Sequence, residues 1–167
     1  MALVLIIRGY CGTGKSTIAK YISKRYQFAF LEYDNFLWDL NSYVKPAKSE
    51  YEITFKNFMS VLKNYLKTDK SILIEGPLVS RCGDDPFDLK KVISAITKSN
   101  HQLKIVQLTA TEDVCLQRMK NRNHIVPKWE RDMFRKGHDD SIQKDEVIID
   151  TTKLTLNQTI NRIKKLL

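Results

Sequence analysis

Leu3-Val4-Leu5-Ile6-Ile7-Arg8-Gly9-Tyr10-Cys11-Gly12-Thr13-Gly14-Lys15-Ser16-Thr17 is the stretch that decides the fold. Five aliphatic residues form a strand that runs straight into Gly9, four further residues, and then Gly14-Lys15-Ser16, the spacing of a phosphate-binding loop in its strand-to-helix setting. A backbone that wraps an anion must bring its N–H groups close to the oxygens, in dihedrals that side chains disfavour. Gly9, Gly12 and Gly14 supply that freedom. Lys15 adds a point charge for β- and γ-phosphates, and Ser16 offers a hydroxyl to magnesium. The helix expected from about Lys15 to Arg25 carries an apolar stripe of Ile18, Ala19, Tyr21 and Ile22, and its N-terminus faces the same anion. Gly9, Cys11, Gly12, Thr13, Gly14, Lys15, Ser16 and Thr17 are therefore the expected nucleotide cradle.

Outward from this loop, short β-rich runs alternate with helical patterns, and no repeat or low-complexity linker interrupts them. Strands are expected near 2–8, 28–32, 71–75, 103–108 and 146–150, and helices near 15–26, 50–67, 87–99, 111–121 and 155–166. Leu3 to Ile7, Ser71 to Ile74 and Glu146 to Ile149 are nearly continuous hydrophobics, as in strands covered on both faces. The predicted fold is α/β, a doubly wound five-stranded parallel sheet with helices on both faces. Its ligands belong at the carboxyl ends of the strands, so the residues there are the candidate site.

The second strand ends in Leu31-Glu32-Tyr33-Asp34-Asn35-Phe36. Asp34 either accepts the proton of an attacking hydroxyl, helps hold a metal, or caps a helix starting at Asn35 or Phe36. Asp34 and Phe36 are expected to face a substrate. The third strand, Ser71-Ile72-Leu73-Ile74-Glu75-Gly76, is an apolar run finished by one acid. Glu75 either orients magnesium, with Ser16, or pairs with a lysine. Arg81 either reaches the substrate or faces water.

After the fourth strand, Arg118 and Arg122 stand four apart on one helix face. Aimed at a triphosphate they would neutralise charge on the transferring phosphoryl group; otherwise they form a solvated surface. Residues 118–138 hold seven Lys/Arg against two acids, a formal +5, with Pro127 and Gly137 near the ends, the pattern of a basic lid over about 122–140. His124 and His138 within it read as surface histidines. The fifth strand ends in Asp150-Thr151-Thr152, where Thr151 and Thr152 either line adenine and ribose or, like Thr155, cap the next helix.

The 167 residues fit one domain, 43% apolar content suffices for a core, and the net charge of +9 favours an anionic ligand. With a core strand at its start and no apolar run near the roughly 18 residues of a membrane span, a cytoplasmic, membrane-free protein is expected. Cys11, Cys82 and Cys115, odd in number and scattered, read as thiols and not as a disulfide framework or zinc site.

Together these residues resemble the small P-loop kinases related to shikimate kinase, gluconate kinase, chloramphenicol phosphotransferase and the kinase domain of polynucleotide kinases. The resemblance spans Gly9 to Thr17, the Asp34 segment, Glu75, the Arg118/Arg122 pair and Ile148-Ile149-Asp150-Thr151-Thr152. It implies a nucleotide kinase-like fold, ATP as donor, Mg2+, and a hydroxyl acceptor activated by Asp34, with Lys15, Arg118 and Arg122 assisting transfer. Glu75-Gly76-Pro77 stands where shikimate kinases carry a glycine-triplet substrate loop, and the adenylate and thymidylate kinase signatures are absent. The acceptor is expected to bind an insert over about 37–67, between core segments 1–36 and 68–167, and no obligate protein partner is implied. Three functions follow: a kinase of a small molecule or nucleoside/nucleotide; a 5′-hydroxyl polynucleotide kinase, suggested by the basic segment and by Tyr33, Phe36, Trp38 and Trp129, which either stack on bases or, as aromatics more commonly do, pack in the core; and a nucleotide switch without acceptor. No Asp-x-x-Gly follows strand three and no Asn-Lys-x-Asp occurs, which counts against a GTPase.

Overall fold

The computed structural model describes residues 2–36, 47–76, 89–122 and 143–167. Five strands lie within them: β1 (Leu3–Gly9), β2 (Ala29–Glu32), β3 (Ile72–Gly76), β4 (Gln102–Thr109) and β5 (Val147–Asp150). They form one all-parallel sheet in the order β2-β3-β1-β4-β5. The helices are α1 (Lys15–Tyr26), α2 (Lys48–Tyr65), α3 (Leu89–Thr97), α4 (Glu112–Lys120) and α5 (Leu156–Lys164), with a short 3-10 turn at Tyr33–Phe36. Each of these five strands and five α-helices lies within two residues of its expected bounds.

The aliphatic run of β1 is uniformly apolar because it is buried on both sides. Val4 and Ile6 join Phe58 and Leu62 of α2 and Val92 and Ile96 of α3 in one core. Leu5 and Ile7 point the other way, against Ile18 and Ile22 of α1 and Ile160 and Ile163 of α5. That two-sided burial is the doubly wound arrangement, since side chains alternate faces along a strand. Helix α4 stands at the carboxyl end of the sheet, where Cys115 and Met119 pack with Tyr10 and Cys11.

Two readings of the sequence take structural form here. Of the presumed acceptor insert, residues 48–65 form α2, whose Tyr51, Thr54, Phe58 and Leu62 are buried, so this helix covers the sheet. Tyr33, read as either a stacking aromatic or a core residue, is 1% exposed, its ring edge-on to Phe58 at 5.4 Å. The 3-10 turn folds this ring inward beneath α2. Phe36 also packs against Phe58, at 5.6 Å and 87°. Residues 37–46 of the insert, Trp38 among them, with Arg81, Cys82, Trp129, His124, His138 and the basic segment from 123 to 142, lie outside the described residues. Among the described residues no helix is long and apolar enough to cross a membrane.

Candidate active site

The loop between β1 and α1 shows why glycine is needed where the sequence has it. Gly9 has φ 149°, and a Cβ there would meet the Leu108 carbonyl oxygen at 2.3 Å. Gly12 has φ 79°, and its Cβ would lie 2.6 Å from the Cys115 carbonyl oxygen. The loop is thus clamped between β4 and α4, and a side chain at either position would force them apart. Thr13 closes the turn by donating its hydroxyl to Tyr10 O at 2.7 Å. At the head of α1, Gly14 supplies no side-chain cap, so the first N–H groups have no such internal acceptor, as an anion-binding helix terminus requires.

On the β3 side of this loop, charges converge. Lys15 is 6% exposed and its Nζ lies 3.6 Å from Glu75 Oε1, to which Ser16 Oγ donates at 3.1 Å. Parallel pairing sets Glu75 beside Ile7 of β1 and Glu32 of β2, which brings the carboxylate under the loop. Burial pushes the Glu75 carboxyl above its ordinary value, with Lys15 opposing and Asp34 reinforcing the rise. Burial also works against the Lys15 ammonium, but Cys11, Glu75 and Asp34 outweigh it and hold its pKa above the usual lysine value. Asp34 is half-buried in the 3-10 turn and close enough for its charge to act on both groups. The four expected residues Lys15, Ser16, Asp34 and Glu75 are therefore brought together.

Glu75 Oε2 is buried and has no hydrogen-bond partner among the described residues. A buried carboxylate oxygen without a donor is costly unless a cation meets it. A carboxylate oxygen and the Ser16 hydroxyl are the hard donors magnesium takes alongside phosphates and water. The residues present fit that ion.

On the β4 side the arrangement is different. Arg118 donates to Gly12 O at 3.2 Å, to Thr151 Oγ1 at 3.1 Å and to Thr151 O at 2.8 Å, so its guanidinium is engaged by the protein. Arg122 lies just past α4 and donates to Thr17 Oγ1 at 3.2 Å. The two arginines thus reach different parts of the cradle. Thr151 is 2% exposed, and its hydroxyl faces Thr13 O at 3.1 Å and Thr109 O at 2.9 Å. Thr152 donates its hydroxyl to Asp150 Oδ1 at 2.6 Å and accepts from Thr111 N–H at 3.1 Å. The hydroxyl and N–H of Thr152 hold the Asp150 carboxyl below the usual carboxylate range. The cap of α5 is Thr155, which exchanges hydrogen bonds with Gln158. A cavity of about 380 Å³ opens here, lined by Thr13, Thr17, Arg118, Arg122, Thr151 and Leu154 among others.

One residue escaped the reading of the sequence. Arg8, directly before Gly9, is fully buried, bound to Glu146 through Nη2–Oε2 at 2.8 Å and Nε–Oε1 at 2.5 Å, with Gln107 Oε1 at 3.3 Å. The signal for it was present as a lone charge ending an aliphatic strand, which burial tolerates only with a paired acid.

The parallel sheet with a glycine-rich loop leading into α1 defines a P-loop nucleotide-binding protein. The chain belongs to the AAA_18 family, described as an AAA domain, which matches residues 5–150. It is similar to shikimate kinase from Staphylococcus epidermidis, 29% identical over 123 residues, 72% of this chain and 66% of that protein. The chain thus spans less than two thirds of that relative's length. Among solved structures it resembles a sugar kinase from Janibacter sp. HTCC2649, with TM-score 0.73, 16% identity and 99% and 94% of the two chains covered. A gluconokinase from Sinorhizobium meliloti 1021 superposes with TM-score 0.71 at 16% identity, covering 98% and 93%. At such identities the structural likeness is one of fold.

Proposed function

We propose that this chain is a magnesium-dependent kinase that transfers the γ-phosphoryl group of ATP to a hydroxyl of a small molecule. The observation that carries this reading is the convergence of two carboxylates with different surroundings on one lysine. Glu75 is buried on the Ser16 hydroxyl and suits the metal; Asp34, half-buried at the open end of β2, suits the acceptor. Asp34 takes the proton as the acceptor oxygen bonds to the γ-phosphorus and the bond to the bridging oxygen of ADP breaks. Lys15 holds the β- and γ-phosphates in line. Magnesium, when bound, offsets phosphate charge and fixes the oxygens. The cavity beside Thr17, Arg122 and Leu154 suits the nucleoside, with Arg122 beside the phosphate chain. The named relatives, shikimate, sugar and gluconate kinases, support a small polyhydroxy acceptor.

The second reading, a 5′-hydroxyl polynucleotide kinase, is favoured by the net charge of +9. It loses support from Tyr33 and Phe36, whose rings lie against Phe58. An ATP-consumption screen against hydroxy acids, sugars, sugar acids, nucleosides, antibiotics and a 5′-hydroxyl oligonucleotide separates the readings. Turnover on a small hydroxyl compound with little salt dependence is expected. Turnover on the oligonucleotide alone, falling with salt at a slope of about −0.7 per phosphate contact, would replace it. ATP hydrolysis indifferent to every acceptor would instead assign a switch.

A further inference from the structure

A loop that turns its N–H groups toward a phosphate leaves its carbonyl oxygens to be satisfied by the protein. The carbonyls of two successive loop residues, Gly12 and Thr13, are met by two side chains, Arg118 and Thr151. The Thr151 hydroxyl shares its hydrogen between Thr13 O and Thr109 O while accepting from Arg118. Arg118 also donates to the Thr151 carbonyl, which fixes the planar guanidinium at three points. Thr151 N–H donates to Thr109 O at 2.8 Å, tying the segment after β5 to the end of β4. The Cys115 backbone presses on Gly12 from the same side. Loop, β4, α4 and the start of the β5–α5 segment therefore form one hydrogen-bonded unit.

The Thr151 side chain is almost fully buried, its hydroxyl engaged by Thr13 O, Thr109 O and Arg118, and three of the five Arg118 N–H donors are taken by protein oxygens. We infer that Thr151 and Arg118 are positioning residues of the phosphate loop, setting triphosphate affinity by holding the Gly12 and Thr13 peptides without touching phosphate. The inference rests on the reading that this loop binds ATP, and it departs from a direct role for Arg118 on the transferring group. A loop held in its binding shape beforehand loses less freedom when the anion arrives.

Calorimetry on the full chain with magnesium and two probes, inorganic tripolyphosphate and ATP, tests it. Thr151→Val keeps the shape and removes the hydroxyl, and should weaken both probes by a similar factor of about tenfold. Thr151→Ser should stay within about twofold of the parent, a rescue that loss of packing alone would not give. Arg118→Lys loses the planar fork and should likewise weaken both probes; should Thr151→Val fail to fold in thermal melts, this variant decides. Unchanged tripolyphosphate affinity with weakened ATP would make these residues nucleoside contacts and overturn the inference. A fall in turnover with both affinities intact would restore Arg118 to a direct catalytic role and overturn it too. A parent that binds neither probe would remove the nucleotide reading itself.

Discussion

The two flanks of the phosphate loop are built on opposite plans. Toward β4 and β5, the Gly12 and Thr13 carbonyls, the Arg118 guanidinium and the Thr151 hydroxyl are hydrogen-bonded to one another and to the end of β4. Toward β3 and β2, Lys15, Glu75 and Asp34 crowd together, the pKa values of Lys15 and Glu75 are displaced, and a buried carboxylate oxygen has no donor among the described residues. The satisfied flank behaves as scaffold. On the proposed reading, the crowded flank carries an electrostatic demand for phosphate, metal and acceptor to meet, the distribution expected of a site whose rigid support and reactive centre are separate.

Damage to the reactive flank should be kinetic and large. Asp34→Asn keeps the size and loses the basicity, so turnover on the identified acceptor should drop by about 10²–10⁴ with ATP affinity largely retained. Near-parental turnover in that variant would take the base away from Asp34. Glu75→Gln removes the anionic oxygen beside Ser16, and the magnesium requirement should rise by about 10- to 100-fold. A titration of activity with magnesium reads that change directly, and an unmoved curve would return Glu75 to a purely structural ion pair with Lys15.

The scaffold flank makes the smallest and most specific prediction. Burial pushes the Cys115 thiol up to about 11 from an ordinary value of 9.0. Because the folded value is raised, the stability tied to the protonated thiol is complete below pH 9 and is lost as pH rises through about 11. The stability difference between parent and Cys115→Ala, measured by denaturant unfolding, should narrow across that window by about 2 kcal/mol. A difference that stays constant with pH would mean that the thiol is not kept neutral by its packing against the loop.

The fold was legible because its signals are local. Ile6 and Ile7 announce a strand buried on both faces, and Tyr51, Thr54, Phe58 and Leu62 recur at helical spacing on the buried side of α2. The nearness of Asp34 and Glu75 to Lys15 was legible for a related reason, since Glu75 lies at the carboxyl end of β3 and Asp34 just past β2, and the strand order of a doubly wound sheet brings both toward the loop. What a single chain does not display is which carbonyl faces which donor across more than 100 residues. Arg118 and Arg122 share a helical spacing, yet Arg118 meets Gly12 and Arg122 meets Thr17, because the clamp on Gly12 fixes how α4 approaches. Tyr33 stayed open between stacking and core packing because the turn that buries it depends on α2 being docked. Thr151 read as either a nucleoside-lining residue or a cap because its two acceptors, Thr13 and Thr109, lie on other elements.

The Arg8 and Glu146 pair has a consequence for how the molecule comes into being. The two residues are 138 positions apart, so a chain emerging from the ribosome displays the central strand and its phosphate loop long before the carboxylate that neutralises Arg8 has been made. Until then the β1 terminus lacks the Glu146 half of a buried ion pair, and a buried pair missing one partner is strongly destabilising. Synthesis of the loop and its maturation are therefore separated in time. A nascent chain stalled before residue 146 should leave the β1 terminus open to proteolysis, whereas one stalled after β5 has emerged should protect it.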